Sequence, residues 1–319
     1  MAAVDKRVSI VLPTMNRGED MRAFLDSLLL QTVLPAELVV VDAGESVQEL
    51  LQRALEGSEI ALIYRSSQPG TSLQRNLGID LATGEFLFFL DDDMVLEPEY
   101  IERSLEAFDL PMDPPVGGVM GSQINVPPDG AAKRAVFRMF GIAHTAPGDD
   151  SELYISGGVR WLAEPSRVVP IPVAATGRVA YRRACLDQER FSEFLPGYTF
   201  AEDVELAVRI ARRWTIVHQP AARLDHRHSA AGRVGYGDRV SRVMYSRYYF
   251  FSRHRPKGPR NLLAFAWSHS GETAQLIGVG LFKRGTGLRP VLRGVAHGYR
   301  LCLEDLGRNV LQRDGARED

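Results

Sequence analysis

Apolar and polar positions fall into alternating blocks along the first part of the chain. Val8-Ser9-Ile10-Val11-Leu12 is a β-branched run closed by Pro13, and Leu38–Val41, Ile60–Tyr64 and Phe86–Leu90 are further short apolar runs. Each predicts a strand, and their continuous rather than alternating character predicts burial on both faces. Between the first two runs, Met21, Phe24, Leu25 and Leu28 recur at helical spacing, which predicts a helix over 19–31. A short helix is expected over 46–56, and another after Gly70 carrying Arg75, Asn76 and Gly78. Strand and helix thus alternate, as βαβ units do. The predicted fold class is α/β, a Rossmann-like, doubly wound, mostly parallel sheet.

Beyond residue 95 the pattern loosens. A helix over 97–108, a break from Pro111 to Pro115 and a strand over 116–125 are expected. Residues 126–170 hold a helix near 132–140 among polar loops, the kind of segment that carries recognition. A helix opening at Glu202-Asp203 runs to Arg212, with Val204, Leu206, Ala207 and Ile210 apolar, and Trp214–Val217 reads as a strand. A further helix is expected over 239–254 with Asp238 as its cap, and 313–319 reads as a disordered tail.

The chain has 319 residues, 45% of them hydrophobic and 24% charged, with a net charge of -2. That balance excludes binding of nucleic acid through overall basicity, and no nucleic-acid reading motif is present. Two cysteines, Cys185 and Cys302, stand far apart, which excludes a disulfide scaffold and a cysteine zinc site. The N-terminus lacks the apolar core of a signal peptide, and no run reaches the roughly 20 apolar residues that span a bilayer. The expectation is a cytoplasmic protein. Between 253 and 300, however, basic residues including Arg255, Arg260, Arg289 and Arg293 face one acid, Glu272, and interleave with Leu263, Phe265 and Trp267. Such a segment suits a peripheral contact at the inner face of the plasma membrane, and equally a helical subdomain packed on the rest.

The candidate chemistry gathers at strand ends. Phe86–Leu90 stops in Asp91, Asp92 and Asp93, and ligands bind outside the carboxyl ends of strands in open α/β sheets. On extended backbone Asp91 and Asp93 share a side, where a hard cation, Mn²⁺ or Mg²⁺, would relieve their repulsion. A solvated acidic turn ahead of a helix, or the start of a haloacid-dehalogenase-type phosphatase, would look similar. Asp42 ends the second strand and could accept from a base N–H, or cap a turn. Arg75 could grip a diphosphate with its fork of donors. Asn16 and Arg17 could contact a ligand or lead into the first helix, with Asn16 as cap. A GxGxxG fingerprint is absent after the first strand.

Four stretches, Pro13-Thr14-x-Asn16-Arg17, Val41-Asp42, Arg75-Asn76-x-Gly78 and Leu90-Asp91-Asp92-Asp93, together resemble the family 2 glycosyltransferases of the GT-A fold. The resemblance implies an inverting enzyme that moves a sugar from a nucleotide-sugar donor to a lipid-linked or polysaccharide acceptor. Pro13, Thr14, Asn16, Arg17, Asp42, Arg75, Asn76, Asp91 and Asp92 would line the donor site. Gly177, in a small-residue segment where family members often carry Asn-Met and this chain has Arg178-Val179, would lie beside the sugar. Asp203 would be the catalytic base and Glu202 its neighbour orienting loop or acceptor. Asp91, Asp93 and a histidine would hold Mn²⁺ or Mg²⁺, with His226 fitting the pattern and His228 competing. On this reading 1–235 is the catalytic domain, 1–95 the nucleotide half and 96–235 the acceptor half, with 236–319 a helical basic extension. The alternatives are a sugar-nucleotide pyrophosphorylase, whose glycine-rich loop after the first strand is missing, and a non-catalytic carbohydrate-binding protein.

Overall fold

The computed structural model describes residues 7–193, 200–227, 235–282 and 287–315. The first half follows the blocks of the sequence: β1 (Val8–Thr14), α1 (Gly18–Leu29), β2 (Glu37–Asp42), α2 (Gln48–Ala54), β3 (Ala61–Ser66), α3 (Thr71–Leu81) and β4 (Phe86–Leu90). Next come β5 (Met94–Leu96), α4 (Tyr100–Phe108), β6 (Val116–Gln123), α5 (Ala131–Phe140), β7 (His144–Ala146), β8 (Glu152–Leu153), β9 (Val159–Leu162) and β10 (Val169–Pro170). The remainder is β11 (Arg178–Arg182), α6 (Arg183–Leu186), α7 (Glu202–Ile210), β12 (Thr215–His226), α8 (Tyr236–His254), α9 (Pro259–Phe282) and α10 (Leu288–Gly315).

Among the described residues the large sheet has the order β10-β12-β6-β11-β4-β1-β2-β3, with β5 paired to β12. β1 pairs in parallel with both β2 and β4, and β2 with β3. The chain therefore winds outward from β1 to β3 and returns to its other side as β4. The strand order reverses between β1 and β4, and the crevice at such a reversal is where open α/β sheets hold ligands. The loop after β1 and the acids after β4 meet there.

The strands are buried because they read as unbroken apolar runs: every residue of β4 is buried, and Phe88, Leu90, Ile10, Leu12 and Val40 share one core with Phe24 and Tyr100. Gly78 exists for this packing. A Cβ there would stand 2.3 Å from Val11 Cγ1, so only glycine lets α3 lie on β1.

Four expectations change. α4 begins at Tyr100 rather than 97, because Met94–Leu96 is spent on a strand antiparallel to Leu224–His226. The small-residue segment before α6 contains a full strand, β11, antiparallel to β4 and β6. The cap of α8 is Gly235, with Asp238 inside its first turn, and α10 continues through Gly315 into the stretch read as a tail.

One buried acid serves the fold alone. Glu37 opens β2 and accepts from Ser9 Oγ (2.6 Å), Thr83 N (2.5 Å) and Thr83 Oγ1 (2.8 Å). Burial raises its pKa, but the Ser9 and Thr83 hydrogen bonds outweigh it, so the carboxyl titrates below its usual range. A depressed carboxyl contributes stability that is present above the ordinary range and lost as pH falls through it. Glu37→Gln is expected to cost about 1–2 kcal/mol at pH 7, with the gap to wild type closing toward pH 3. Urea unfolding at both pH values checks this.

By contacts the described chain divides into two compact units. The first holds residues up to Asp129, Thr145–Glu152 and everything from Arg160 to 227; the second holds Gly130–His144, Leu153–Val159 and the C-terminal helices. Within the second unit α10 packs closely on α8, where Gly294 and Gly298 lie against Val240 and Met244. Arg247 faces Glu272 at 3.4 Å and donates to Ser268 Oγ at 3.1 Å.

Candidate active site

The acids after β4 sit in a turn, with Met94 N–H donating to Asp91 O at 3.3 Å, rather than on extended backbone. The turn splits them by role. Asp92 points inward and accepts from Thr14 Oγ1 (2.7 Å) and Arg17 Nη1 (2.8 Å). Its burial raises its pKa to about 6 against the pull of Arg17 and Thr14. Asp92, Thr14 and Arg17 thus bind the β1 loop to the β4 turn, which is a bracing position.

Asp91 and Asp93 form a group with His226, their ligand atoms lying within 4.8 Å of one another. The register of the sheet assembles it. β12 runs antiparallel to β5 with His226 opposite Met94, and Arg227 N donates to Asp93 O at 2.9 Å. His226 Nε2 then reaches Asp93 Oδ1 at 3.0 Å. Asn125 Nδ2 holds the His226 carbonyl at 2.7 Å. His228 lies outside the described residues. Two carboxylates and one imidazole suit a divalent ion of the Mn²⁺ type, so the donor set fits the metal expected there.

Gly177 closes the other side of Asp91. Its φ is +86°, and a Cβ would stand 2.5 Å from Asp91 Oδ2, so both conformation and space require glycine. The residue before it, Thr176, donates its N–H to Asp203 Oδ2 at 3.1 Å. Asp203 lies in the first turn of α7, and Val204 N–H bonds its other oxygen at 2.7 Å. Burial, then the neighbouring Glu202 charge, raises its pKa to about 7; Val204, Arg75 and Thr176 oppose the rise. Such a carboxylate is poised to take a proton near neutrality. Arg75, 4% exposed, joins the two centres, donating to Glu202 Oε1 at 2.8 Å and approaching Asp91 Oδ1 at 3.4 Å.

The remaining expected residues are engaged by the protein itself. Asp42 is buried, and its carboxylate accepts from Gly44 N (2.8 Å), Val47 N (3.3 Å) and Tyr64 Oη (2.7 Å). Three of its roughly four lone-pair positions are filled, so it shapes the loop after β2 and keeps about one position for a ligand donor. Asn16 adopts φ 57° and accepts from Glu45 N at 2.8 Å; the residue preceding α1 is Arg17, so Asn16 is no helix cap. Asn76 spends its amide on Phe191 O, Phe191 N and Glu193, which makes it a brace for residues 191–193. Pro13 is half-buried in β1, opposite Val41. Tyr64 was missed by sequence reasoning. Its signal was a phenol near the carboxyl end of β3, beside a strand that ends in an acid.

The sheet order, the switch-point crevice and its acid turn define the GT-A class of glycosyltransferase fold. A mannosyltransferase from Pyrobaculum calidifontis, solved in complex with GDP-Man and Mn²⁺, superposes with a TM-score of 0.55 at 19% identity, over 93% of this chain and 80% of that one. Residues 9–164, just under half of the chain, match the model of glycosyl transferase family 2 and form a domain of that family. A PGL/p-HBAD biosynthesis glycosyltransferase of Mycobacterium bovis is 39% identical over 100 residues, covering 30% of this chain and 39% of its own length. A glucosyl-dolichyl phosphate glucuronosyltransferase of Haloferax volcanii is 32% identical over 135 residues, 41% of this chain and 42% of its own. The chain thus matches less than half the length of these relatives.

Proposed function

We propose that this chain is an inverting, metal-dependent glycosyltransferase acting on a nucleotide-sugar and a lipid-linked glycan or polysaccharide acceptor. The observation that carries this is the crevice between β1 and β4, where consecutive residues Thr176 and Gly177 bring Asp203 beside the Asp91–Asp93–His226 group. The similar mannosyltransferase in complex with GDP-Man and Mn²⁺ and the similar glucosyl-dolichyl phosphate glucuronosyltransferase support the same reading.

Asp91, Asp93 and His226 would hold the ion, which when bound supplies Lewis-acid stabilisation of the departing diphosphate. Asp203 takes the proton of the acceptor hydroxyl as its oxygen bonds to the anomeric carbon and the bond to the diphosphate oxygen breaks. Glu202 and Arg75 hold the start of α7 and Asp91 in mutual register, so the base and the metal ligands keep their spacing. Incubation with UDP-, GDP- and dTDP-sugars tests the reading: one class should be hydrolysed slowly without acceptor, releasing nucleoside diphosphate only when Mn²⁺ or Mg²⁺ is present. Release of inorganic phosphate instead would mark a phosphatase.

Peripheral membrane contact forms part of the proposal, and the second unit supports it. No helix among the described residues is long and apolar enough to cross a membrane. α9 and α10 nevertheless expose Leu263 (73%), Phe282 (86%) and Leu303 (67%), and α5 exposes Val136 and Met139. Trp267 Nε1 donates to Met139 O at 3.0 Å, so α5 and α9 present these residues side by side. Arg138, Arg260 and Arg293 on the same helices suit anionic headgroups. Leu263→Glu with Phe282→Glu is expected to reduce co-sedimentation with phosphatidylglycerol vesicles about tenfold or more, without changing turnover of a soluble acceptor. Equal sedimentation of both proteins would contradict the contact.

A further inference from the structure

Arg178 opens β11 opposite Leu90, the residue immediately before the acid turn. Both residues ahead of it already belong to the site, Thr176 through Asp203 and Gly177 through Asp91. A guanidinium carries five N–H donors and no acceptor. Among the described residues Arg178 makes a single hydrogen bond, from Nη1 to Gly121 O at a long 3.4 Å, and no ion pair. The other two arginines of the crevice are spent differently, Arg17 on Asp92 and Arg75 on Glu202.

The surroundings of Arg178 are poor in compensating charge. Tyr100 and His218, both essentially unexposed, lie within its field. His218 is anchored at 2.8 Å to Ser122, and burial together with Arg178 lowers its pKa to about 3, so it is a neutral neighbour. Burial also lowers Arg178 itself, and the attraction of Asp203 acts without contact. Arg178 itself is partly exposed, so its guanidinium keeps donors that a ligand arriving from the crevice can meet. A planar fork of donors, next in sequence to Thr176 and Gly177, is suited to a two-oxygen anion.

We propose that Arg178 is the binding residue for an oxyanion of the bound ligand, either a carboxylate on the sugar or a phosphate. This rests on the crevice being the donor site.

The test compares wild type with Arg178→Gln and Arg178→Lys. Calorimetry and thermal shift are run with UDP-glucuronate, UDP-glucose, UDP, inorganic pyrophosphate and free glucuronate, all with Mn²⁺. At least one anion should bind wild type, and Arg178→Gln should weaken it about tenfold or more, with Arg178→Lys recovering part of the loss. A loss confined to the glucuronate probes assigns a sugar carboxylate; a loss shared by UDP and pyrophosphate assigns a phosphate. Ligand-free Arg178→Gln should melt close to wild type, because the partly exposed side chain gives up one long hydrogen bond. The proposal is overturned if Arg178→Gln melts well below wild type, if no probe changes by more than about twofold, or if wild type binds none of the anions. Binding of pyrophosphate or glucuronate through Arg178 without any nucleotide binding would sink the donor-site reading and leave Arg178 as an anion-binding residue only.

Discussion

Asp203→Asn is expected to lower kcat by about 10²- to 10⁴-fold, the range for loss of a positioned general base, while donor affinity changes little. The asparagine keeps the shape, and its carbonyl oxygen can still accept from either Thr176 N or Val204 N. What disappears is the carboxylate that accepts a proton. The substitution should also leave the fold intact or strengthen it. Asp203 titrates above its ordinary range in the folded chain, to about 7, because burial and Glu202 penalise its charge. A carboxyl raised by folding costs stability as pH rises from its unfolded value toward its folded one, so a neutral amide relieves that cost at neutral pH. A melting temperature at or above wild type together with a collapsed kcat would separate catalysis from folding. In wild type, kcat/KM should fall on the acid side of about pH 7 as Asp203 becomes protonated. A turnover unchanged in Asp203→Asn would remove it from the mechanism.

Loss of the metal group should be nearly as severe. Asp91→Ala and His226→Ala are each expected to weaken Mn²⁺ binding by about a hundredfold or more, since changes even to groups behind a ligand cost 10–100-fold. Titration of Mn²⁺ followed by electron paramagnetic resonance reads this directly. Asp91 is the cleaner choice because it is the more exposed carboxylate, its side chain being 29% accessible, whereas Asp93 is 1%. Asp92→Asn serves as the contrast. Asp92 braces Thr14 and Arg17, so its loss should lower the melting temperature and leave Mn²⁺ affinity within a few-fold.

The parts of this account that sequence revealed are those with local causes. β4 and its acids were legible because an unbroken apolar run must be buried and its polar end must emerge somewhere. The alternation of α1, α2 and α3 with β1 to β4 was legible for the same reason, whereas the strand order that sets the switch point came only with the pairing of β1 to β2 and β4. What stayed hidden depends on distant pairing. β5 is three residues long, and only the antiparallel partner at Leu224–His226 makes it a strand. That partner also brings His226 to the acid turn. β11 was concealed because Arg178 and Arg182 bound its apolar centre, and Arg182 lies over Phe86 and Phe108 rather than in water. Asp42, Asn16 and Asn76 match the family's motif positions, yet each supports a loop here. A motif marks a place in the fold, and only hydrogen-bond partners say whether the side chain has capacity left for a ligand.

The most direct measurement is calorimetric titration of the wild-type protein with UDP, GDP and dTDP, each with and without Mn²⁺. The account predicts that one nucleoside diphosphate binds tightly and that its affinity depends on the ion. If none binds under either condition, the crevice at β1 and β4 is not a donor site, and the proposed activity is wrong.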